Sequence, residues 1–144
     1  MELRFRRLDP KATLPSRAHP GDAGLDLSSA IDIEVGPGRR EKIPTGLAVA
    51  IPDGFAGLVL PRSGLASRHG LTLSNAPGLI DSGYRGEIIC AVVNLDRDTA
   101  VGVVKGERIA QLVIVERPLL EPVWADELPE SSRGEGGFGS SGTA

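Results

Sequence analysis

With 144 residues, 40% of them hydrophobic, the chain is long enough to bury one sizeable core and too apolar to remain a disordered polymer. Charged residues make up 24% with both signs interspersed, and the net charge of -3 leaves no basic face on which a nucleic-acid backbone could be held. No stretch approaches the roughly 18 apolar residues of a membrane span, MELRFRRLDP at the start has charge but no apolar targeting core, and the single Cys90 cannot close an internal disulfide, so a soluble, cytoplasmic protein with no membrane or nucleic-acid partner is expected.

Period-two alternation dominates the chain. Leu25 and Leu27, then Ile31, Ile33 and Val35, then Leu47, Val49 and Ile51 mark strands, as do Ala110, Leu112 and Ile114 set against Gln111, Val113 and Val115. Turn punctuation falls at GPG 36–38, PDG 52–54, APG 76–78, YRG 84–86 and KGE 105–107, the rhythm of short antiparallel strands. Only RSGLASRHG, residues 62–70, reads as helix, with Ser63 placed to cap it and Gly70 to close it in a left-handed conformation after one or two turns. Cys90, inside the apolar run EIICAVVNL, reads as a small buried hydrophobe. No internal repeat is visible, and the composition changes abruptly after EPVWADELPE, which divides the chain into a body of residues 1–125 and a flexible Gly-rich arm of residues 126–144. Together these patterns predict an all-β barrel or jelly roll.

Several chemistries are excluded. His19, His69 and Cys90 lie far apart without the spacing of a zinc site, and neither a G-x-S-x-G elbow nor a G-x-x-x-x-G-K-[ST] loop occurs. Gly134, Gly136 and Gly139 do spell G-x-G-x-x-G, but that pattern must open a helix after a strand, and only five residues follow it here.

What is present is a set of polar and aromatic residues in loops. Of five aromatic side chains, Tyr84 stands in a Gly-flanked turn and Phe138 in the Gly-rich tail. Both suit exposed stacking platforms, while Tyr84 has the alternative of packing under its own loop. NAPGLIDSGYRGEIICAVVNL, residues 75–95, reads as a hairpin centred on Tyr84 that pairs Leu79 with Ile89 and puts Asp81 near the tip. Its backbone and the Asn75 amide offer donors and acceptors to a pyrimidine edge, and Asp81 reads equally as a turn former beside Ser82 and Gly83. Arg62, Ser63 and the amides of a helix start form an anion site, although Arg62 could be merely solvated and Ser63 merely a cap. Gln111 and Asp26 each read either as functional or as the polar outward positions of a strand.

Taken in order, DAGLDLSSA, PRSGLASRHG, NAPGLIDSGYRGEI, GERIAQLVI and RGEGGFGSSG, from residue 22 to 142, resemble the five motifs of the trimeric dUTPase family. Gly64 stands where a second Ser is common and Gly83 where an acid is frequent. The resemblance implies a jelly-roll or distorted-barrel protomer, a homotrimer with active sites shared between subunits, and Mg²⁺-dependent hydrolysis of dUTP to dUMP and pyrophosphate, which keeps uracil out of DNA and supplies dUMP for dTMP synthesis. By position it implies Asp81 as the group that activates water, and substrate contacts from Arg62, Ser63, Gly64, Asn75, Gly78, Leu79, Ile80, Tyr84, Ile89 and Gln111. Asp26 would hold the metal through water, and Arg133, Phe138, Gly139 and Ser140 would close over the nucleotide from the arm. Extended, residues 131–144 span up to roughly 45 Å, against a body radius of gyration near roughly 14 Å, so the arm is long enough to reach a neighbour. A dCTP deaminase and a non-catalytic nucleotide-binding regulatory trimer are the competing readings.

Overall fold

The alternating segments become neighbouring strands in the computed structural model, which describes residues 1–143. In chain order the elements are β1 (Arg4–Arg7), β2 (Leu25–Ser28), β3 (Ile33–Val35), β4 (Arg40–Ala50), β5 (Phe55–Pro61), α1 (Ser63–His69), β6 (Leu71–Leu73), β7 (Gly78–Ile80), β8 (Glu87–Asn94), β9 (Val101–Val103) and β10 (Arg108–Glu116). They form two antiparallel four-stranded sheets, ordered β1-β4-β8-β6 and β2-β10-β5-β7, and a small β3-β9 pair. The fold is the expected all-β jelly roll with one short helix. Ile31 and Ile51, expected in strands, fall just outside them, where the chain turns.

One core unites the sheets. Leu27, Val59, Ala110 and Leu112 from one sheet meet Ile43, Val49, Ile88, Cys90 and Val92 from the other, each large aliphatic contributing roughly 1.5–3 kcal/mol by leaving water. The buried polar groups fasten the edges. Asn94, fully buried, donates to the carbonyls of Val35 at 3.0 Å and Thr99 at 2.9 Å, and accepts from the Asp96 amide at 2.9 Å, tying the β3-β9 pair to β8. Nothing in the alternation pattern pointed to Asn94.

One irregularity interrupts the long β4–β8 pair. The β4–β8 register slips between Pro44, opposite Ile89, and Ala48, opposite Glu87. The extra residues bulge out around Gly46, whose φ of 70° favours glycine. Its carbonyl accepts from the amides of Leu8 and Asp9, which anchors the N-terminal segment. Beyond β10 the chain leaves the body: Pro118 to Glu135 is exposed throughout, including Leu119, Leu120, Val123 and Trp124. Among the described residues no helix is long and apolar enough to cross a membrane.

Candidate active site

The helix begins where β5 ends, and its start differs from the expected one. Arg62, with extended backbone at φ -91° and ψ 129°, is the N-cap residue, and Ser63 is the first helical residue rather than the cap. Pro61 closes the strand immediately before, and the residue that still has strand-like dihedrals becomes the cap. The Ser63 hydroxyl makes no capping bond and is left for other work. The first helical bond runs from the Ala66 amide to the Arg62 carbonyl at 3.0 Å, so the amides of Ser63, Gly64 and Leu65 have no partner within the helix. At the other end Gly70 closes the helix as expected, with φ 69° and its amide on the Ala66 and Leu65 carbonyls.

Strand register brings the remaining polar groups to this helix start. Gln111 on β10 lies opposite Asp26 on β2 and Leu60 on β5. Arg62, Ser63, Gly64, Gln111 and Asp26 thereby line one cavity of about 510 Å³. The Gln111 amide donates to the Pro61 carbonyl at 3.0 Å, and Gly24 leaves it room, since a Cβ there would collide with Gln111 Oε1. Asp26 and Arg62 form an ion pair, Nε to Oδ1 at 3.3 Å, and the second Asp26 oxygen is held by Arg108 Nη1 at 3.1 Å. Sequence reasoning missed Arg108. Its signal is a cation at the start of the strand that carries Gln111, and it acquires meaning only once β10 is paired with β2.

The second group of residues gathers elsewhere. β7 pairs with β5 in one sheet while β8 pairs with β4 and β6 in the other, so Leu79 lies opposite Leu58 and Ile89 opposite Pro44. The expected Leu79–Ile89 hairpin pair does not form. Residues 81–86 instead arch from one sheet to the other, because each flanking strand finds a longer partner across its own sheet. Asn75, Gly78, Leu79, Ile80, Asp81, Tyr84 and Ile89 still line one cavity, of about 210 Å³, with Leu79 and Ile89 exposed by 65% and 47%. Tyr84 combines both of its expected states. Its hydroxyl donates to the Glu87 carbonyl at 2.9 Å and its ring packs on Gly86, where a Cβ would strike the ring, yet the side chain stays 46% exposed.

Cys90 belongs to the wall of this smaller cavity, as the expected buried hydrophobe. Burial pushes its thiol up from 9.0 to about 12. The native protein is therefore expected to resist a thiol reagent at pH 8 and to react fully once unfolded, as a chromogenic disulfide would report. Because the folded value lies above the unfolded one, the stability conferred by the neutral thiol is complete below pH 9.0 and is lost as pH rises towards about 12.

The two cavities share no lining residue. Register explains the separation: Ile80 lies opposite Gly57, so continuing the ladder sets Asp81 against Ala56, six residues before Arg62. At about 3.3 Å per residue that is about 20 Å of strand, several times the hydrogen-bond reach of a water that both groups would have to serve. The arm joins neither cavity. Arg133 Nε donates to the Gly136 carbonyl at 2.6 Å, and Phe138 is fully exposed at a left-handed φ of 48°. Among the described residues no group of three or more His, Cys, Asp or Glu could hold a metal unaided. The larger cavity offers only the carboxylates of Asp22 and Asp26, a donor set that fits a hard ion delivered by a polyphosphate and reached through water.

Known proteins resemble this one along nearly its whole length. The dUTPase family model matches residues 10–142. The deoxyuridine 5'-triphosphate nucleotidohydrolase of Mycolicibacterium gilvum (strain PYR-GCK) is 57% identical over 94% of this chain and 92% of its own, and that of Thermobifida fusca (strain YX) is 55% identical over 99% of this chain and 79% of its own. Among solved structures, a dUTPase of Staphylococcus bacteriophage 80alpha with dUpNHpp superposes with a TM-score of 0.93 at 34% identity, covering 99% of each chain. A dUTPase mutant from phage phi11 of S. aureus, described with a structural Mg(II) ion, superposes with a TM-score of 0.82 at 29% identity over 88% of this chain and 98% of its own.

Proposed function

The chain belongs to the dUTPase family, and on that premise we propose how its residues hydrolyse dUTP to dUMP and pyrophosphate. The observation that carries the reading is the convergence of Arg62, Ser63, Gly64 and Gln111 on one cavity, where an arginine, a hydroxyl, helix-start amides with no partner within the helix and a side-chain amide give donors for phosphate oxygens. The smaller cavity takes the nucleoside. Its backbone around Gly78, Leu79, Ile80 and Ile89, with the Asn75 amide, reads the uracil edge, and Tyr84 lies against the deoxyribose where a ribose hydroxyl would need space. Asp81, beside the nucleoside, orients a water in line with the α-phosphorus and takes its proton. The water oxygen bonds to that phosphorus, the bond to the bridging oxygen breaks, and pyrophosphate leaves.

Mg²⁺, when bound, neutralises charge on the triphosphate oxygens. Asp26 would hold the ion through water, a role for which the carboxylate is pre-positioned by Arg62 and Arg108. The two halves belong to different subunits. A carboxylate and an anion cradle separated by about 20 Å of strand within one chain can serve one phosphorus only if a second copy supplies the other half, and a homotrimer with heterologous contacts supplies each half three times over. Arg133, Phe138, Gly139 and Ser140, on the arm of residues 126–144, close the site, with the ring over uracil and the guanidinium on the terminal phosphate.

Pyrophosphate release from dUTP, dCTP, dTTP and UTP in the presence of Mg²⁺, with nucleotide products identified, tests the reaction. Conversion of dUTP alone to dUMP is expected. Conversion of dCTP to a uracil nucleotide would instead make the protein a deaminase, and binding without turnover would make it a regulatory trimer. The sugar gate has its own test in Gly86→Ala, whose new methyl would push the Tyr84 ring from its seat. It is expected to raise kcat/KM for UTP relative to dUTP on the order of 10-fold; an unchanged ratio would remove Tyr84 from sugar selection.

A further inference from the structure

Arg68 stands one helical turn after Gly64 on α1, at the i, i+4 spacing that makes helix positions neighbours. Its Nη2 lies 3.7 Å from where a Cβ on Gly64 would sit, so its guanidinium rests over the amide wall of the larger cavity, which it also lines. The charges around that cavity are unevenly matched. Arg62 and Arg108 are both paired with Asp26, at 3.3 and 3.1 Å. Arg68 forms no ion pair among the described residues, and the first turn of α1 contains no acid that could take its charge. A guanidinium remains charged at every accessible pH and presents five donors in a planar fork. Among the described residues no ion pair uses them.

We propose that Arg68 is a further specificity-determining residue for this reaction, contacting oxygens of the pyrophosphate that leaves and so reading the number of phosphates on the nucleotide. The inference rests on the larger cavity being the phosphate half of the site. Arg68 differs from Arg62 in having no carboxylate to release before it meets the substrate. It differs from Arg133 in being fixed on the body, so its contribution persists when the arm is removed. A cation beside the outer phosphates strengthens triphosphate binding and leaves monophosphate binding almost untouched, which also lets the dUMP product depart once pyrophosphate is gone.

The test is calorimetric binding of dUpNHpp and dUMP, each with Mg²⁺, to the full chain and to Arg68→Gln, Arg68→Lys and Arg62→Gln. Gln keeps the helix propensity and length of the side chain while removing its charge. Arg68→Gln is expected to weaken dUpNHpp about 10-fold, the effect of one charge-assisted hydrogen bond, and dUMP less than about 2-fold, while Arg68→Lys recovers part of the loss. If Arg62→Gln weakens dUpNHpp and Arg68→Gln does not, or if Arg68→Gln weakens both nucleotides equally, the role of Arg68 is overturned and the phosphate half stands. If neither Arg62→Gln nor Arg68→Gln affects dUpNHpp, the larger cavity does not hold the phosphates and both readings fall.

Discussion

Asp81→Asn is expected to lower kcat for dUTP by about 100-fold or more, the usual contribution of a positioned acid–base group, while leaving the affinity for dUpNHpp within about 3-fold of its original value. The split between turnover and binding follows from where Asp81 lies. It lines the smaller cavity, exposed, in the arch between the two sheets, and its carbonyl accepts from the Tyr84 amide at 3.1 Å. That backbone bond shapes the loop and survives replacement of the side chain. Asn keeps the volume and can still touch a water, but it cannot take a proton from it. A variant with near-normal turnover would remove Asp81 from the mechanism, and one that lost dUpNHpp binding in parallel would make it a loop-shaping residue.

Removal of residues 131–144 carries the second large effect. Among the described residues the arm makes no hydrogen bond to the body, Phe138 being fully exposed and Arg133 donating to its own turn at the Gly136 carbonyl. Truncation therefore costs the core nothing, and thermal stability and trimer assembly are expected to be unchanged. Catalysis is a different matter. A ring stacked on a base contributes about 1–3 kcal/mol and a charge-assisted hydrogen bond about 1.5–3 kcal/mol, so losing both is expected to lower kcat/KM on the order of 100-fold to 1000-fold. Phe138→Ala and Arg133→Ala separate the two contributions. Loss of the trimer on truncation, seen by light scattering, would make the arm structural, and unaltered kcat/KM would end its assignment as a lid.

Much of this was legible in the sequence because alternation in a two-faced strand has a physical cause. Leu25 with Leu27, and Ala110 with Leu112, are hydrophobic at every second position because one face of each strand meets the core. Gly70, Gly54 and Gly106 mark turns for an equally local reason, their positive φ values. Pairing was less legible. Leu79 and Ile89 are equidistant from Tyr84, which suggests a hairpin, yet the strands that outcompeted it, β5 and β4, lie some twenty to forty residues upstream. Pairing with them is decided by the shared core and not by the local turn. The same holds for β1, whose RFRR carries a single apolar residue and becomes a strand only because Arg4–Arg7 finds Leu47–Ala50.

Within the candidate site, the residue types were legible and their partners were not. Asp26 and Arg62 looked like separate surface charges because thirty-odd residues of sequence separate them, and only the adjacency of β2, β10 and β5 joins them with Arg108. The Ser63 cap failed for a smaller reason. Cap preference is a contest between neighbouring residues, and the extended backbone of Arg62 decided it. The separation of Asp81 from the anion cradle could not be read from spacing at all, since it depends on the direction in which β7 runs along β5.

That separation can be tested directly, because it requires each active site to combine Asp81 of one subunit with the phosphate cradle of another. Asp81→Asn chains and Arg62→Gln chains, each expected to turn over dUTP at a small fraction of the original rate, are unfolded together in equal amounts, refolded and assayed for dUTP hydrolysis. If sites form across subunits, about one quarter of them receive an intact Asp81 and an intact Arg62 by random assortment, and activity returns to about one quarter of the original level. If every site is built within one chain, each still carries one of the two defects, and the mixture stays as inactive as its components.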